Sequence, residues 1–180
     1  MSKKADVIKS IVVLAVICLV ISGALAIVNS FTAPVIENAA AERENQARQS
    51  VMPEAASFEP LEQSDFPEGV VSGYQGLDSA SETVGYVFTV EGKGFDGTIS
   101  VMCAIGTDGN ILKCSTLDVS SETKTLGGKT ANPEYTDQYI GQNSSLDGVD
   151  SISGATITST AYKGCVEKAF AAYELVKEAE

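Results

Sequence analysis

Hydrophobic and polar positions divide the chain into three regimes. From Ser10 to Ile36 no residue is charged, a run of 27, and its apolar centre, Ser10 to Val28, reads SIVVLAVICLVISGALAIV. A helix of about 20 such residues crosses the roughly 30 Å hydrocarbon layer, so this pattern predicts a transmembrane helix over residues 10–31. The next stretch, Pro34 to Gln49, is rich in Ala, Glu, Arg and Gln, which are good helix formers, and Pro53 follows. It predicts a polar juxtamembrane helix and linker over residues 32–53. From Glu54 to Ser81, Pro60, Pro67 and several glycines interrupt short apolar runs, and no regular element is predicted there.

Further on the period changes to two. Val84 to Val90 (VGYVFTV) is β-branched and aromatic, GKGFDG at 92–97 is a turn, and Ile99, Val101, Cys103 and Ile105 alternate with Ser100, Met102 and Ala104. Asp108-Gly109 is a strong two-residue hairpin signal, and Ile111 to Val119 returns as the next strand. With those two residues as the turn, Cys103 lies opposite Cys114 on the face of Ile105 and Leu112. Directly opposed residues are close enough at Cα for a disulfide. The other reading is two small apolar side chains in the core. A last helix is predicted over 161–179, capped by Ser159 or Thr160. Its apolar stripe is Tyr162, Val166, Ala169, Phe170, Tyr173 and Val176, which packs on the sheet. The fold class is therefore α+β, with an N-terminal membrane helix before an antiparallel sheet and packed helices. The globular part covers residues 54–180.

Charge and composition narrow the function classes. The chain carries 24 acidic and 12 basic residues, a net charge of −12, which argues against nucleic acid as a partner. It has no histidine, which excludes His-based acid–base catalysis, Ser-His-Asp systems and His-ligated haem. Its four cysteines show no C-x-x-C spacing and its carboxylates are scattered, so no metal site is predicted. Lys3, Lys4 and Lys9 precede the apolar run, while Glu37, Glu42 and Glu44 follow it. The positive-inside rule makes residues 1–9 a cytoplasmic N-terminus and puts the rest outside. A cleaved signal peptide, with Ala24-Leu25-Ala26 as its cleavage site, is the alternative to a retained anchor; it too leaves the globular part outside.

The candidate chemistry sits just before the last helix, in Asp150-Ser-Ile-Ser-Gly-Ala-Thr156. Small residues feeding a helix N-terminus, with hydroxyls around them, suit an anion such as phosphate, or make an ordinary capped loop. The string resembles the flavinylation motif D-x-x-[ST]-G-A-T of FMN-binding domain proteins, with Asp150, Ser153, Gly154, Ala155 and Thr156 on its fixed positions. In that family a flavin transferase joins FMN through a phosphoester to the final threonine, which implies covalent FMN on Thr156.

The segment from Gly92 through Thr123 is similar to the K-G-Y/F-x-G hairpin of the same family. The stretch Glu122-Thr-Lys-Thr-Leu-Gly-Gly128 resembles the family's H-x-E-T-P-G-L-G loop beside the flavin. Glu122, Thr123, Leu126 and Gly127 match; Ser120 stands where the family has His, and Lys124 and Thr125 replace Pro and Gly. Tyr135 and Tyr139 could flank a ring system or simply pack. The anchor followed by Asn29-Ser-Phe-Thr-Ala-Pro-Val-Ile-Glu37, and Val51-Met52-Pro53 beyond it, resemble the G subunits of Rnf electron-transport complexes. The resemblance implies an electron-transfer subunit of a bacterial inner-membrane complex that moves electrons between ferredoxin and NAD⁺ and couples them to ion transport. Its expected partners are the other Rnf subunits and a flavin transferase. Two alternatives stand beside it: a stand-alone membrane-tethered flavoprotein for surface electron transfer, and a cofactor-free surface protein in which the S-G-A-T turn is only a helix cap.

Overall fold

Strand β3 (Thr83–Lys93) is apolar at nearly every position from Val84 to Val90 because both of its faces are covered. Tyr86, Phe88 and Val90 point into one core, and Val87 into another. The computed structural model describes residues 3–62 and 65–179. It divides into two units, Met1–Arg43 and Glu44–Glu180. Helix α1 (Lys3–Val51) is continuous in the backbone. Its segment Ile11–Ala33 is long and apolar enough to cross a membrane, and none of it is buried.

In the second unit, β1 (Ser57–Pro60), β2 (Val70–Leu77), β3, β4 (Thr98–Gly106) and β5 (Ile111–Asp118) form an antiparallel meander in sequence order. Helix α3 (Thr156–Ala179) lays its predicted stripe of Tyr162, Val166, Ala169, Phe170, Tyr173 and Val176 on one face of the sheet. On the opposite face, Val51 and Met52 from the end of α1 pack with Ala55, Val87, Met102 and Ala104. This second cover explains why Met102 and Ala104 alternate with the inward residues of β4 and are still fully buried.

The structure departs from the sequence reading at three places. Residues 54–81 are not irregular throughout, since β1 and β2 lie within them. Glycine hid the signal of β2 for a steric reason. A Cβ on Gly76 would collide with the Met52 sulfur, and one on Gly73 would lie 3.0 Å from Phe66. Second, the β4–β5 turn has three loop residues rather than two. The Gly109 N–H donates to the Gly106 carbonyl, the Gly106 N–H donates to that of Asn110, and Gly109 adopts φ +81°. This is a type I turn closed by a left-handed residue, which glycine accepts without strain. The shift is undone at a bulge between Ala104 and Ile105, so Cys103 still pairs with Cys114 while Ile105 pairs with Ile111. Ile111 therefore takes the buried place expected for Leu112, which is exposed. Third, α3 begins at Thr156 rather than at Ala161.

Between β5 and α3 the chain makes short helical turns at Gly127–Ala131, Pro133–Thr136 (α2) and Asp137–Tyr139. Tyr135 and Tyr139 are buried there with Tyr162, with ring centroids 5.3–5.7 Å apart. Their hydroxyls lie 3.1 Å from each other, and that of Tyr135 also donates to the Ser159 carbonyl at 3.3 Å. They are core residues.

Candidate functional site

Three segments far apart in sequence converge at the start of α3: the β3–β4 turn, the loop after β5, and the turn ending in Thr156. Glu122 joins them. Its carboxylate is buried, with Oε1 accepting from the Asp96 N–H at 3.0 Å and Oε2 from the Thr158 hydroxyl at 2.6 Å. Gly94 and Gly127 flank it so closely that a Cβ on either would strike the carboxylate. Burial pushes the Glu122 pKa up. Hydrogen bonds from Thr158 and from the backbone of Asp96, Phe95 and Gly97 outweigh that and hold it below the ordinary glutamate value. The anion is thus held in place as the fastener of three loops.

The loop after Glu122 is rigid for local reasons. The N–H groups of Leu126 and Gly128 both donate to the Thr123 carbonyl at 3.0 Å, and the buried Thr130 hydroxyl closes the following turn on the Gly127 carbonyl at 2.7 Å. Across the cleft, the turn before α3 needs glycine at 154, where φ is +80° and a Cβ would sit 3.3 Å from Leu126. The Ser159 hydroxyl accepts the Ile152 N–H at 3.1 Å and ties this turn to the first turn of the helix. Thr156 is the first helical residue, and it is exposed.

Between these walls lies a cleft of about 330 Å³, lined by Glu122, Thr123, Leu126, Gly127, Gly154, Ala155 and Thr156, and also by Phe95, Ile157 and Thr158. Seven of the nine residues singled out in the sequence therefore share one cavity. The other two, Asp150 and Ser153, are exposed on the turn outside it. Asp150 donates its N–H to the Gln138 side chain at 3.0 Å, and neither its carboxylate nor the Ser153 hydroxyl has a hydrogen-bond partner among the described residues. Tyr135 and Tyr139 do not line the cleft either. Ser120, at the position of the family histidine, is exposed, and its N–H donates to the Asp118 carboxylate at 2.7 Å.

Four further residues at the site stand outside those nine. Phe95 and Ile157 are apolar yet 70% and 56% exposed, and together with Leu126 they give the cleft an apolar rim. Thr158 is the hydroxyl that fastens Glu122. Lys93 lines an open hollow with Thr156, Ile157, Thr160 and Ala161, on the outer side of the same helix end. Lys93 and Phe95 carried a visible signal, as the lysine and the aromatic position of the K-G-Y/F-x-G turn. Ile157 reveals itself through exposure alone.

The cleft can receive a flat, largely apolar ring at its rim and an anion outside, where helix N–H groups, hydroxyls and Lys93 meet. Its volume is at the lower end of the roughly 300–1,000 Å³ typical of small-molecule sites. Among the described residues, no group of three or more Cys, Asp or Glu side chains could hold a metal ion.

The chain is similar to several known proteins. The family model for the FMN-binding domain matches residues 94–171, which include the β3–β4 turn, the Glu122 loop and the start of α3. The G subunit of the ion-translocating oxidoreductase complex of Methanosarcina acetivorans is 33% identical over 89% of this chain and 91% of its own length. The G subunit of the Na⁺-translocating ferredoxin:NAD⁺ oxidoreductase complex of Acetobacterium woodii is 32% identical over 90% of this chain and 89% of its own. In fold, the chain is similar to Shewanella oneidensis NqrC, with a TM-score of 0.52 over 72% of this chain and 74% of that one, at 17% identity. The apolar segment Ile11–Ala33 and these relatives together make this a membrane-anchored protein. The chain belongs to the G-subunit family of ion-translocating oxidoreductase complexes, and its globular unit carries that family's FMN-binding domain.

Proposed function

We propose that this chain is the FMN-carrying electron-transfer subunit of an ion-translocating ferredoxin:NAD⁺ oxidoreductase, with FMN joined to Thr156 by a phosphoester. The observation that carries the reading is the exposed Thr156 hydroxyl at the first turn of α3, beside a cleft with an apolar rim and a glycine-built floor. Bound there, the flavin supplies one- and two-electron redox chemistry. The chain's own residues provide the setting. Phe95, Leu126 and Ile157 offer apolar surface to the ring, and the helix N-terminus and Lys93 favour the phosphate charge. Glu122 points inward to Thr158 and Asp96, so its negative charge is spent on the protein rather than turned towards the phosphate. Asp150 and Ser153, unengaged on the surface, are available to the flavin transferase that recognises the turn.

The N-terminus is assigned to the cytoplasm, residues 10–31 to the membrane, 32–53 to the juxtamembrane helix and 54–180 to the FMN-binding domain outside. Three lysines before the apolar segment and acidic residues after it support this orientation. Electrons enter and leave through the other Rnf subunits, since no nicotinamide fingerprint or basic ferredoxin-binding patch stands in the sequence.

The test is the mass of the full chain co-expressed with an active flavin transferase, mapped on the tryptic peptide Thr130–Lys163. A gain equal to FMN less one water, on Thr156, is expected. The Thr156→Ala chain should show no flavin fluorescence after denaturing electrophoresis, with its stability within about 0.5 kcal/mol of wild type because the side chain is exposed. Fluorescence retained by that variant overturns the assignment.

A further inference from the structure

Cys103 and Cys114 are directly opposed across β4 and β5, and the bulge at Ala104/Ile105 restores the register that keeps them so. Both side chains are 1% exposed on the α3 face of the sheet, and their sulfurs lie 3.5 Å apart, the Cys114 thiol directed at Cys103. Opposed residues of an antiparallel ladder have Cα atoms about 4.5–5.5 Å apart, inside the roughly 4.4–6.8 Å range of disulfides. The sulfurs must close by roughly 1.5 Å to bond, a movement that side-chain torsions can supply without moving the strands. Cys165 presents the contrast: it is also buried, but against Gly92, where a Cβ would lie 2.6 Å from its sulfur. That is a packing cysteine, whereas the hairpin pair has the placement of a cross-link.

We infer that Cys103 and Cys114 form a disulfide in the mature protein. The inference rests on the outward orientation proposed above, because a compartment outside the cytoplasm can be oxidising. The two thiols lose two protons and two electrons as their S–S bond forms. A disulfide-bearing oxidant of that compartment takes them, its own S–S bond opening to two thiols. Burial sets the order of events. Exchange proceeds through an exposed thiolate, so the bond closes before α3 covers the hairpin and is then shielded from reductant. It is therefore a permanent staple across the bulged hairpin that leads from the β3–β4 turn to the Glu122 loop, and it does not take part in turnover.

Trypsin makes the test direct, because cleavage at Lys113 separates Gly94–Lys113, which holds Cys103, from Cys114–Lys124. Cells are quenched with N-ethylmaleimide, and the full chain is purified and denatured in the same reagent and digested without reduction. The expected product is the two peptides joined, two hydrogens lighter than their sum and free of maleimide, separating on reduction. In the Cys103→Ser chain, Cys114 should carry maleimide completely. Maleimide on both cysteines of the wild type overturns the disulfide. A parallel sample labelled in intact cells with a membrane-impermeant amine reagent at the exposed Lys124 and Lys129 distinguishes the causes. Labelled lysines with free thiols leave the orientation standing and reject only the bond; unlabelled lysines with free thiols reject both.

Discussion

Replacing Thr158 by valine keeps the shape of the side chain and removes one hydrogen bond, the 2.6 Å contact to Glu122 Oε2. Thr158 is 1% exposed and Glu122 5%, so water replaces the lost hydroxyl poorly. A hydrogen bond to a charged group contributes about 1.5–3 kcal/mol, and here the remaining carboxylate oxygen is left buried without its side-chain donor. The expected cost is therefore about 2–3 kcal/mol. For a unit the size of Glu44–Glu180, that lowers the unfolding midpoint by roughly 6–12 °C. Glu122→Ala also strands the Asp96 N–H and should cost roughly 3–5 kcal/mol. Because the two residues share one bond, the double variant should fall short of the summed single costs by about 1.5–3 kcal/mol.

The assay is thermal and denaturant unfolding of the detergent-solubilised full chain, with all four members of the cycle at one pH. The dependence on pH gives an independent check. The folded-state pKa of Glu122 lies below the ordinary value. Its ionised form therefore contributes stability in full above the unfolded pKa of about 4.3, and that contribution is lost as pH falls through the folded value. The gap between wild type and Glu122→Gln should hold constant from neutral pH down to weakly acidic pH and narrow below that. A Thr158→Val chain as stable as wild type, or a coupling energy near zero, would refute the view that Glu122 fastens the three loops.

Two further variants probe the turn and its outer side. Gly154→Ala places a side chain at φ +80° and 3.3 Å from Leu126, so it should cost roughly 1–2 kcal/mol and slow flavin attachment; unchanged stability would show that the turn accommodates a left-handed alanine. Lys93→Ala, in the hollow beside Thr156, should slow attachment several-fold, as measured by the fluorescence of the denatured chain at fixed transferase, while its stability stays within about 0.5 kcal/mol of wild type; an unchanged rate would remove Lys93 from the phosphate side.

What the sequence revealed and what it concealed follow from local against non-local causes. The membrane segment, the three central strands and the stripe of α3 are written in runs and periods, and each stands in the structure. Strand β2 was hidden because its glycines answer to Met52, Leu61 and Phe66, residues from other parts of the chain, and β1 because it is four residues long and ends on Pro60. The start of α3 was misplaced because Thr156 to Thr160 are poor helix formers, held in helical form by contacts such as Thr158 with Glu122. In the site, the motif residues were legible from the resemblance, and the cleft gathers seven of them. Phe95 was legible as the aromatic position of the glycine-rich turn but not as a rim residue, and Ile157 was not legible at all, since an apolar residue looks the same in sequence whether it is buried or exposed.

Surface charge gives a reason for the covalent link proposed at this site. Beyond residue 28 the chain carries nine basic and 23 acidic residues, a net of −14. A free phosphate monoester with a charge of about −1.5 to −2 meets that field unfavourably. The N-terminus of α3 and Lys93 offset it only locally, within about one Debye length, roughly 8 Å at physiological salt. In the orientation proposed, a site held by affinity alone would then lose its ligand to dilution on the outer face of the membrane. The esterification proposed at Thr156 would remove one ionisable oxygen and make occupancy independent of concentration. The cleft then has only to orient the ring, and a shallow, rim-lined shape with Phe95, Leu126 and Ile157 exposed is sufficient for that. The same openness keeps the ring edge within reach of a neighbouring redox subunit. An enclosed high-affinity pocket would bury that edge, so the acidic surface and the open cleft both fit the covalent threonine proposed above.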